Sequence, residues 1–153
     1  MKIKWKVLIY CLVLVYCTAI IGSIFMQNQS NSEWYNSVKP SITPPGFIFP
    51  IVWTVLYFLI GISLYLASTN SKKKNKKKIL VWFGINLFLN AIWTLFYFNL
   101  HNPILAFMDI ILIELTIVYL IILTYRISRI SSYLLIPYLI WVSFASVLTY
   151  LSI

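Results

Sequence analysis

Five long apolar blocks limit the folds that this sequence can adopt. Each is long enough to cross a hydrocarbon core of about 30 Å as a helix, which takes roughly 20 residues. A membrane β-barrel would need short alternating segments, and the sequence has none. The blocks predict an all-α integral membrane protein, a single domain over residues 1–153 built as a bundle of five transmembrane helices. They run from about Val7 to Met26, Gly46 to Ser68, Ile79 to Asn99, Pro103 to Tyr125 and Ser131 to Ser152.

Composition supports a membrane protein. Of the 153 residues, 61% are hydrophobic and 10% are charged, which is more apolar surface than a soluble domain of this length can bury. The first block follows Lys2, Lys4 and Lys6, as the apolar part of a signal peptide would. The block is too long for the apolar part of a signal peptide and lacks a small-x-small cleavage site, so we predict a retained helix.

Basic residues predict the orientation of the bundle. Lysines precede the first block and fill the connection from Lys72 to Lys78, while Arg126 and Arg129 lie between the fourth and fifth blocks. Lys39 alone falls on the other side. The positive-inside rule therefore places the N-terminus in the cytoplasm and the C-terminus outside. The net charge of +9 lies in short connections beside the membrane, which excludes a nucleic-acid interface as its main purpose.

The longest connection, Gln27 to Pro45, leads into the second block through Thr43-Pro44-Pro45-Gly46. Thr43 is predicted to cap the second helix, because threonine and proline suit a helix start. Pro50 and Pro137 are predicted to lie inside the second and fifth helices, where each frees a carbonyl and kinks its helix.

Two carboxylates, Asp109 and Glu114, lie within the fourth block. A charge at membrane depth costs about 2.5–3.5 kcal/mol, so it needs a partner, a proton or a cavity. Five residues place the two side chains about 140° apart on a helix, so they do not form one paired site. We expect hydrogen bonds to neighbouring helices, with a proton relay as the alternative.

Amides and tryptophans also lie deep in the blocks. Asn86 and Asn90 share one face of the third helix, and for Asn90 a packing role and a ligand contact remain open. Trp53, Trp93 and Trp141 lie one to three turns inside three different spans, and we predict that they line one pocket. The interfacial preference of tryptophan accounts for Trp5 and Trp34.

The sequence contains no motif for metal or acid–base chemistry. His101 is the only histidine and is predicted to be an isolated surface residue. No Cys/His/carboxylate cluster has metal-ligand spacing, and no phosphate loop or catalytic triad is present, so no metal site is predicted. Cys11 and Cys17 lie six apart on one helix, point to different faces and cannot bridge each other.

Motifs in four of the blocks resemble the TspO/MBR family, the tryptophan-rich sensory proteins related to the translocator protein (peripheral benzodiazepine receptor). The resemblance covers about residues 20 to 150. The matching segments are WYNSVKPSITPP, FPIVWTVLY followed by Gly61, NLFLNAIWTLFYF, PILAFMDIILIELT and LLIPYLIWVSFASVL.

The resemblance implies a membrane protein, commonly a homodimer, that binds porphyrins such as protoporphyrin IX and benzodiazepine-type ligands. No covalently bound cofactor is implied. The ligand lies among the helices beneath the 27–45 loop, which acts as a lid. The positions that match the family's ligand site are Tyr35, Pro44, Trp53, Tyr57, Asn90, Trp93, Trp141 and Ala145, with Ser23 and Asp109 as weaker candidates.

Some family members degrade protoporphyrin IX in light, which implies Trp53 and Trp141 as catalytic residues here. Two departures limit the resemblance. The cholesterol-recognition pattern near Tyr150 lacks its basic residue, so sterol binding is not predicted, and Phe88 follows Gly84 where family dimers often place a second small residue.

We therefore predict a porphyrin-binding and sensing protein of a bacterial cytoplasmic membrane, in contact with membrane lipid. Lys39, on the lid side, is expected to pair with a propionate. The alternatives are a transporter of porphyrins or other small hydrophobic molecules, and a structural partner in stress-related assembly.

Overall fold

The predicted five-span architecture is confirmed by a computed structural model, which describes residues 2–27 and 29–153. Met1, in the predicted domain, and Asn28, in the predicted lid loop, lie outside the described residues. The described chain is helical and has no strand. Its elements are α1 (Trp5–Met26), α2 (Glu33–Val38), α3 (Ile48–Asn70), α4 (Lys73–Thr94), a π-helix (Leu95–Asn99), α5 (Pro103–Tyr125), α6 (Arg129–Tyr133) and α7 (Ile136–Tyr150).

Five helical units are long and apolar enough to cross a membrane. They are α1, α3, α4 with the π-helix, α5, and α6 with α7. In the bundle, α1 packs against α3 and α4, α4 packs against α5, and α5 packs against α6 and α7. The helix α3 contacts α6 more extensively than α7, so the second and fifth spans meet mainly at one end.

The two ends of the bundle are named here by their sequences. The lid end carries the 27–45 connection and the turn between the π-helix and α5. The lysine end carries the turn between α3 and α4. The predicted third block is too short at this end, because α4 already begins at Lys73 and its exposed first turns hold the lysines. Lysine is a good helix former, so the charged residues extend the helix rather than interrupt it.

Gly61 allows α1 to approach α3 closely. A β-carbon at this position would lie 2.6 Å from the Cδ2 atom of Leu12. On α1, Cys11 is buried and Cys17 is exposed, which confirms that the two thiols point to different faces.

Two predictions for the start of the second span are wrong. Thr43 does not cap the helix, because α3 begins at Ile48 after Phe47 and has no side-chain cap. Pro50 lies in the first turn of α3, where backbone N–H groups have no helical partner, so it frees no carbonyl. Pro137 lies inside the fifth span, as predicted, but in the first turn of α7: the span is interrupted between Tyr133 and Ile136 rather than kinked within one helix.

Candidate ligand site

A directional chain of buried hydrogen bonds crosses the middle of the bundle. The Tyr57 hydroxyl donates to Asn90 Oδ1 at 2.6 Å, and Asn90 Nδ2 donates to the Tyr138 hydroxyl at 3.1 Å. Tyr138 donates to Asn86 Oδ1 at 3.0 Å, and Asn86 Nδ2 donates to Thr116 Oγ1 at 2.8 Å. These five side chains join α3, α4, α5 and α7. Asn90 therefore serves packing in this structure.

The Thr116 hydroxyl completes the chain by donating to the Ile113 carbonyl at 2.7 Å. One helical turn closer to the lid, each of the four helices presents a polar or aromatic side chain. The spacing of three or four residues corresponds to about 5 Å along a helix. The pairs are Trp53 above Tyr57, Trp93 above Asn90, Asp109 above Ile113 and Trp141 above Tyr138. The hydrogen-bond chain thus forms the floor of a site walled by three tryptophans and one aspartate.

Two of the tryptophans make contacts between α3 and α7. The Trp53 ring lies 5.3 Å from Tyr57 and 6.2 Å from Tyr138, measured between ring centroids. Trp141 meets Phe49, in the first turn of α3, edge to face at 5.8 Å. Since α3 and α7 otherwise make few contacts, these rings span the space between the second and fifth helices.

The third tryptophan connects the bundle to the lid. The Trp93 ring stacks on Tyr97 at 5.0 Å with an interplanar angle of 10°. Tyr97 lies on the π-helix, and its hydroxyl is 2.8 Å from Ser152 Oγ at the end of the fifth span. Trp93 packs both against the main core and against the smaller cluster of Tyr97, Phe98 and Ala106.

The lid is docked on this smaller cluster by two aromatic residues of α2. Tyr35 lies 5.5 Å from Phe98 and 6.3 Å from Tyr97. Trp34 contacts Tyr97 edge to face at 5.5 Å and stacks on His101 at 4.5 Å. The Trp34 ring is thus half-buried against the bundle and holds the lid, a contact that its predicted place at the membrane interface did not include.

His101 is not the isolated residue that the sequence predicted. Besides the stack on Trp34, its Nε2 atom lies 3.2 Å from Gln29 Oε1 on the lid connection. Its backbone has a φ of 50°, the left-handed region that histidine enters more often than bulky residues do. A tight turn thus presents the imidazole to the lid.

The mouth of the site has one cation near an aromatic ring. The Lys39 ammonium lies 5.8 Å from the centroid of the Tyr35 ring. Burial of Tyr35 against the bundle raises the pKa of its phenol above the ordinary value, so this side chain is neutral at physiological pH. The lid therefore brings the charge of Lys39 beside a neutral Tyr35, and its carboxylate, Glu33, lies exposed in the first turn of α2.

The site walls contain buried polar atoms without a hydrogen-bond partner among the described residues. They are the indole nitrogens of Trp93 and Trp141, Asp109 Oδ2 and, on the lid connection, Thr43 Oγ1. A buried group left unpaired costs about 1–3 kcal/mol, so each requires an explanation. All four lie toward the lid end, and none lies near the lysine end.

The two carboxylates of α5 differ in their bonding. Glu114 accepts a hydrogen bond from Ser146 Oγ at 2.9 Å, which confirms the predicted link to another helix. Asp109 is only 4% exposed, yet its Oδ2 atom has no hydrogen-bond partner in the described part of the chain. The prediction of a hydrogen bond to a neighbouring helix is therefore wrong for the Oδ2 atom of Asp109. The Tyr138 hydroxyl donates to Asn86 and so is not a donor for Asp109.

The structure brings most of the predicted site residues to one region. Tyr35, Trp53, Tyr57, Asn90, Trp93, Asp109 and Trp141 lie around the floor, walls and lid just described. Ala145 packs against the main core one turn beyond Trp141, and Pro44 is half-buried on the lid connection. Ser23 is exposed, and its hydroxyl donates to the Ile20 carbonyl of its own helix at 2.7 Å.

Sequence reasoning missed five residues of this region, namely Phe49, Tyr97, Phe98, His101 and Tyr138. Tyr138 had a usable signal, because it precedes Trp141 by three residues and so shares its helix face. No sequence signal predicted the contacts of His101 with the lid, since those contacts depend on where the chain turns. In the described part of the chain, no group of three His, Cys, Asp or Glu side chains is placed to hold a metal ion.

Comparison with known proteins gives a consistent assignment. The TspO/MBR family profile matches residues 10–152. The tryptophan-rich protein TspO of Archaeoglobus fulgidus is 39% identical over 144 residues, covering 94% of this chain and 92% of that protein. The protein of the same name from Chlorobaculum tepidum is 36% identical over 141 residues, 92% of this chain and 89% of that protein. The human translocator protein is 29% identical over 134 residues, 85% of this chain and 78% of that protein.

The five spans, the tryptophan-walled site beneath a docked lid and these similarities together show that the chain is an integral membrane protein belonging to the TspO/MBR family.

Proposed function

We propose that this protein binds a flat aromatic tetrapyrrole such as protoporphyrin IX between α3, α4, α5 and α7, and that it acts as a sensor of that ligand. The same walls suit benzodiazepine-type ligands, which are smaller and also aromatic. The observation that carries the proposal is the layer of Trp53, Trp93 and Trp141 above the hydrogen-bonded floor, with two indole N–H groups unpaired.

The chemistry of the walls matches a porphyrin. Indole rings offer apolar faces for stacking against a large π-system, and their N–H groups offer hydrogen bonds to ring nitrogens or carboxylates. A ligand that accepts these bonds would remove the cost of the unpaired donors on Trp93 and Trp141. Lys39 at the mouth provides a cation for a propionate.

The names of relatives agree with a sensing role. A protein of Cereibacter sphaeroides called tryptophan-rich sensory protein is 24% identical over 151 residues, 98% of this chain and 91% of that protein. We transfer the sensing role from that name and the binding role from the site.

Packing at the lysine end favours binding over transport. Ser63 Oγ donates to the Ser131 carbonyl at 2.8 Å, and Ser131 Oγ donates to the Ser63 carbonyl at 2.7 Å. Both serines are fully buried. A transporter would have to separate α3 from α6 here to release its substrate, which breaks both bonds in an apolar environment.

Titration of the purified full-length protein with protoporphyrin IX, followed by porphyrin absorbance and tryptophan fluorescence, tests the proposal. Wild type should bind, and Trp53→Phe and Trp141→Phe should each weaken binding severalfold, because phenylalanine offers a smaller stacking face and no N–H group. Trp82→Phe is the control, because Trp82 packs on Tyr119 near the lysine end. Equal affinities for all three variants would overturn the proposed site.

Illumination of the same complex in air separates binding from degradation. Trp53 lies in ring contact with Tyr57 and Tyr138, which places two further oxidisable rings beside it. With dioxygen as the oxidant, catalysis by these tryptophans predicts slower bleaching of bound protoporphyrin in Trp53→Phe and Trp141→Phe than in Trp82→Phe. Equal bleaching rates at equal occupancy would leave the protein as a binder.

A further inference from the structure

One carboxylate of the bundle is buried in the ligand site without a partner for one of its oxygens. Asp109 is 4% exposed, and Oδ2 accepts no hydrogen bond from the described residues. Glu114, on the same helix, has its bond to Ser146. The lack of a partner is therefore specific to Asp109, because the other carboxylate of α5 is hydrogen-bonded.

The position of Asp109 directs it toward the site. Its neighbour one turn toward the lid, Ala106, packs against Tyr97 and Phe98 in the cluster that supports the lid. Its neighbour one turn away from the lid, Ile113, supplies the carbonyl that ends the hydrogen-bond chain. Asp109 thus lies on α5 between the lid cluster and the floor.

Charged groups lie both inside the bundle and at the mouth of the site. Asp109 is a carboxyl group buried within the bundle, and Lys39 is an ammonium group at the mouth, while the lid's own carboxylate, Glu33 in the first turn of α2, is exposed. The other Lys and Arg residues lie at the lysine end or before α1. Pairing of a buried charge gains more than pairing in water, because an unpaired charge in an apolar environment is costly.

We propose that Asp109 and Lys39 select and orient the ligand by charge. The site takes an aromatic ligand whose buried edge carries a hydrogen-bond donor or a positive group for Asp109, and whose carboxylates face Lys39 at the mouth. A ligand with a carboxylate on its buried edge is disfavoured. This inference rests on the proposed ligand site and names the ligand class that the site prefers.

Three ligands with one ring system test the charge preference. They are protoporphyrin IX, its dimethyl ester, and an ammonium derivative in which both propionates are converted to aminoethyl amides, so that the edge that carried two carboxylates carries two ammonium groups. Wild type should bind the ammonium derivative about tenfold more tightly than the neutral diester, a difference of about 1.4 kcal/mol. Asp109→Asn, which keeps the shape of the side chain, should abolish that preference.

Lys39→Ala should act on the other end of the ligand. It should weaken protoporphyrin IX relative to the diester, while leaving the preference for the ammonium derivative over the diester intact. Glu114→Gln is the matched control for Asp109→Asn, because it changes the same kind of group on the same helix outside the site. It should reproduce all wild-type ratios.

Thermal unfolding of each variant shows whether the bundle is intact, and Asp109→Leu gives a second, uncharged substitution if Asp109→Asn unfolds. An unchanged ratio of ammonium derivative to diester in folded Asp109→Asn or Asp109→Leu would overturn the charge-selection proposal while the proposed site stands. No binding of any of the three ligands to wild type would overturn both proposals.

Discussion

The two ends of the bundle use their buried polar groups in opposite ways. At the lysine end, Ser63 and Ser131 exchange hydrogen bonds, and Ser132 and Thr124 donate to carbonyls of α5. At the lid end, Trp93, Trp141 and Asp109 each keep a buried polar atom without a partner. Among the described residues, the buried hydroxyl groups named at the lysine end are therefore paired, whereas the lid end keeps these three buried polar atoms without a partner.

The burial of apolar side chains also differs between the two ends. Side chains at the lysine end that have no exposed surface come from α3, α4 and α5 and include Leu64, Ala67, Ile79, Phe83, Ile117 and Leu120. At the lid end, Phe49, Trp53, Trp93 and Trp141 are only half-buried. We conclude that the fully buried apolar side chains at the lysine end contribute most to holding the helices together, and that these four rings at the lid end contribute less burial. Three predictions test this comparison.

The largest effect is expected from a cavity at the lysine end. Phe83→Ala should lower the free energy of unfolding by about 2–3 kcal/mol. This is at the low end for phenylalanine, because a helix in lipid gains little from transfer out of water and the cost of the cavity remains. Phe49→Ala at the lid end should cost less than about 1 kcal/mol, since that ring is half-buried. Denaturant unfolding in detergent measures both, and equal losses would break the comparison.

A middle-sized effect is expected at the floor of the site. Tyr138→Phe leaves Asn86 Oδ1 and one N–H of Asn90 without their partner, and should destabilise the bundle by about 1–2 kcal/mol. Tyr133→Phe is the control, because Tyr133 is 54% exposed. The two variants are compared by thermal unfolding without ligand. If Tyr138→Phe matched its control, the chain of hydrogen bonds would not hold the four helices.

The smallest effect on global stability is expected at the lid. Trp34→Ala removes the stack on His101 and the contact with Tyr97, each of a kind worth about 0.5–1.5 kcal/mol locally. Hydrogen exchange of amides in residues 29–45 should quicken by up to about tenfold, while exchange in α4 stays unchanged. Trp5→Ala, at a 64% exposed tryptophan, should change neither region. Uniformly faster exchange would mean that Trp34 supports the whole bundle.

Much of the fold was predictable because the bilayer restricts it. Block lengths predicted the five spans, and Pro137 marked the place where the structure interrupts the fifth span, although a kink was predicted there. Helix starts were less predictable. Thr43 and Pro50 look like a cap and an internal proline, but α3 begins at Ile48, because the residue at which a chain enters a helix depends on how the preceding loop packs.

The sequence by itself determined the class of the protein and the positions of its aromatic residues. A row of roughly 20 apolar residues has one stable form in lipid, and a helix fixes which side chains share a face. Only the tertiary structure decided which polar groups have partners. Asp109 and Glu114 are alike in sequence, yet one oxygen of Asp109 is unpaired and Glu114 is bonded to Ser146. That difference depends on which helix stands opposite each turn, which only packing of the whole bundle sets.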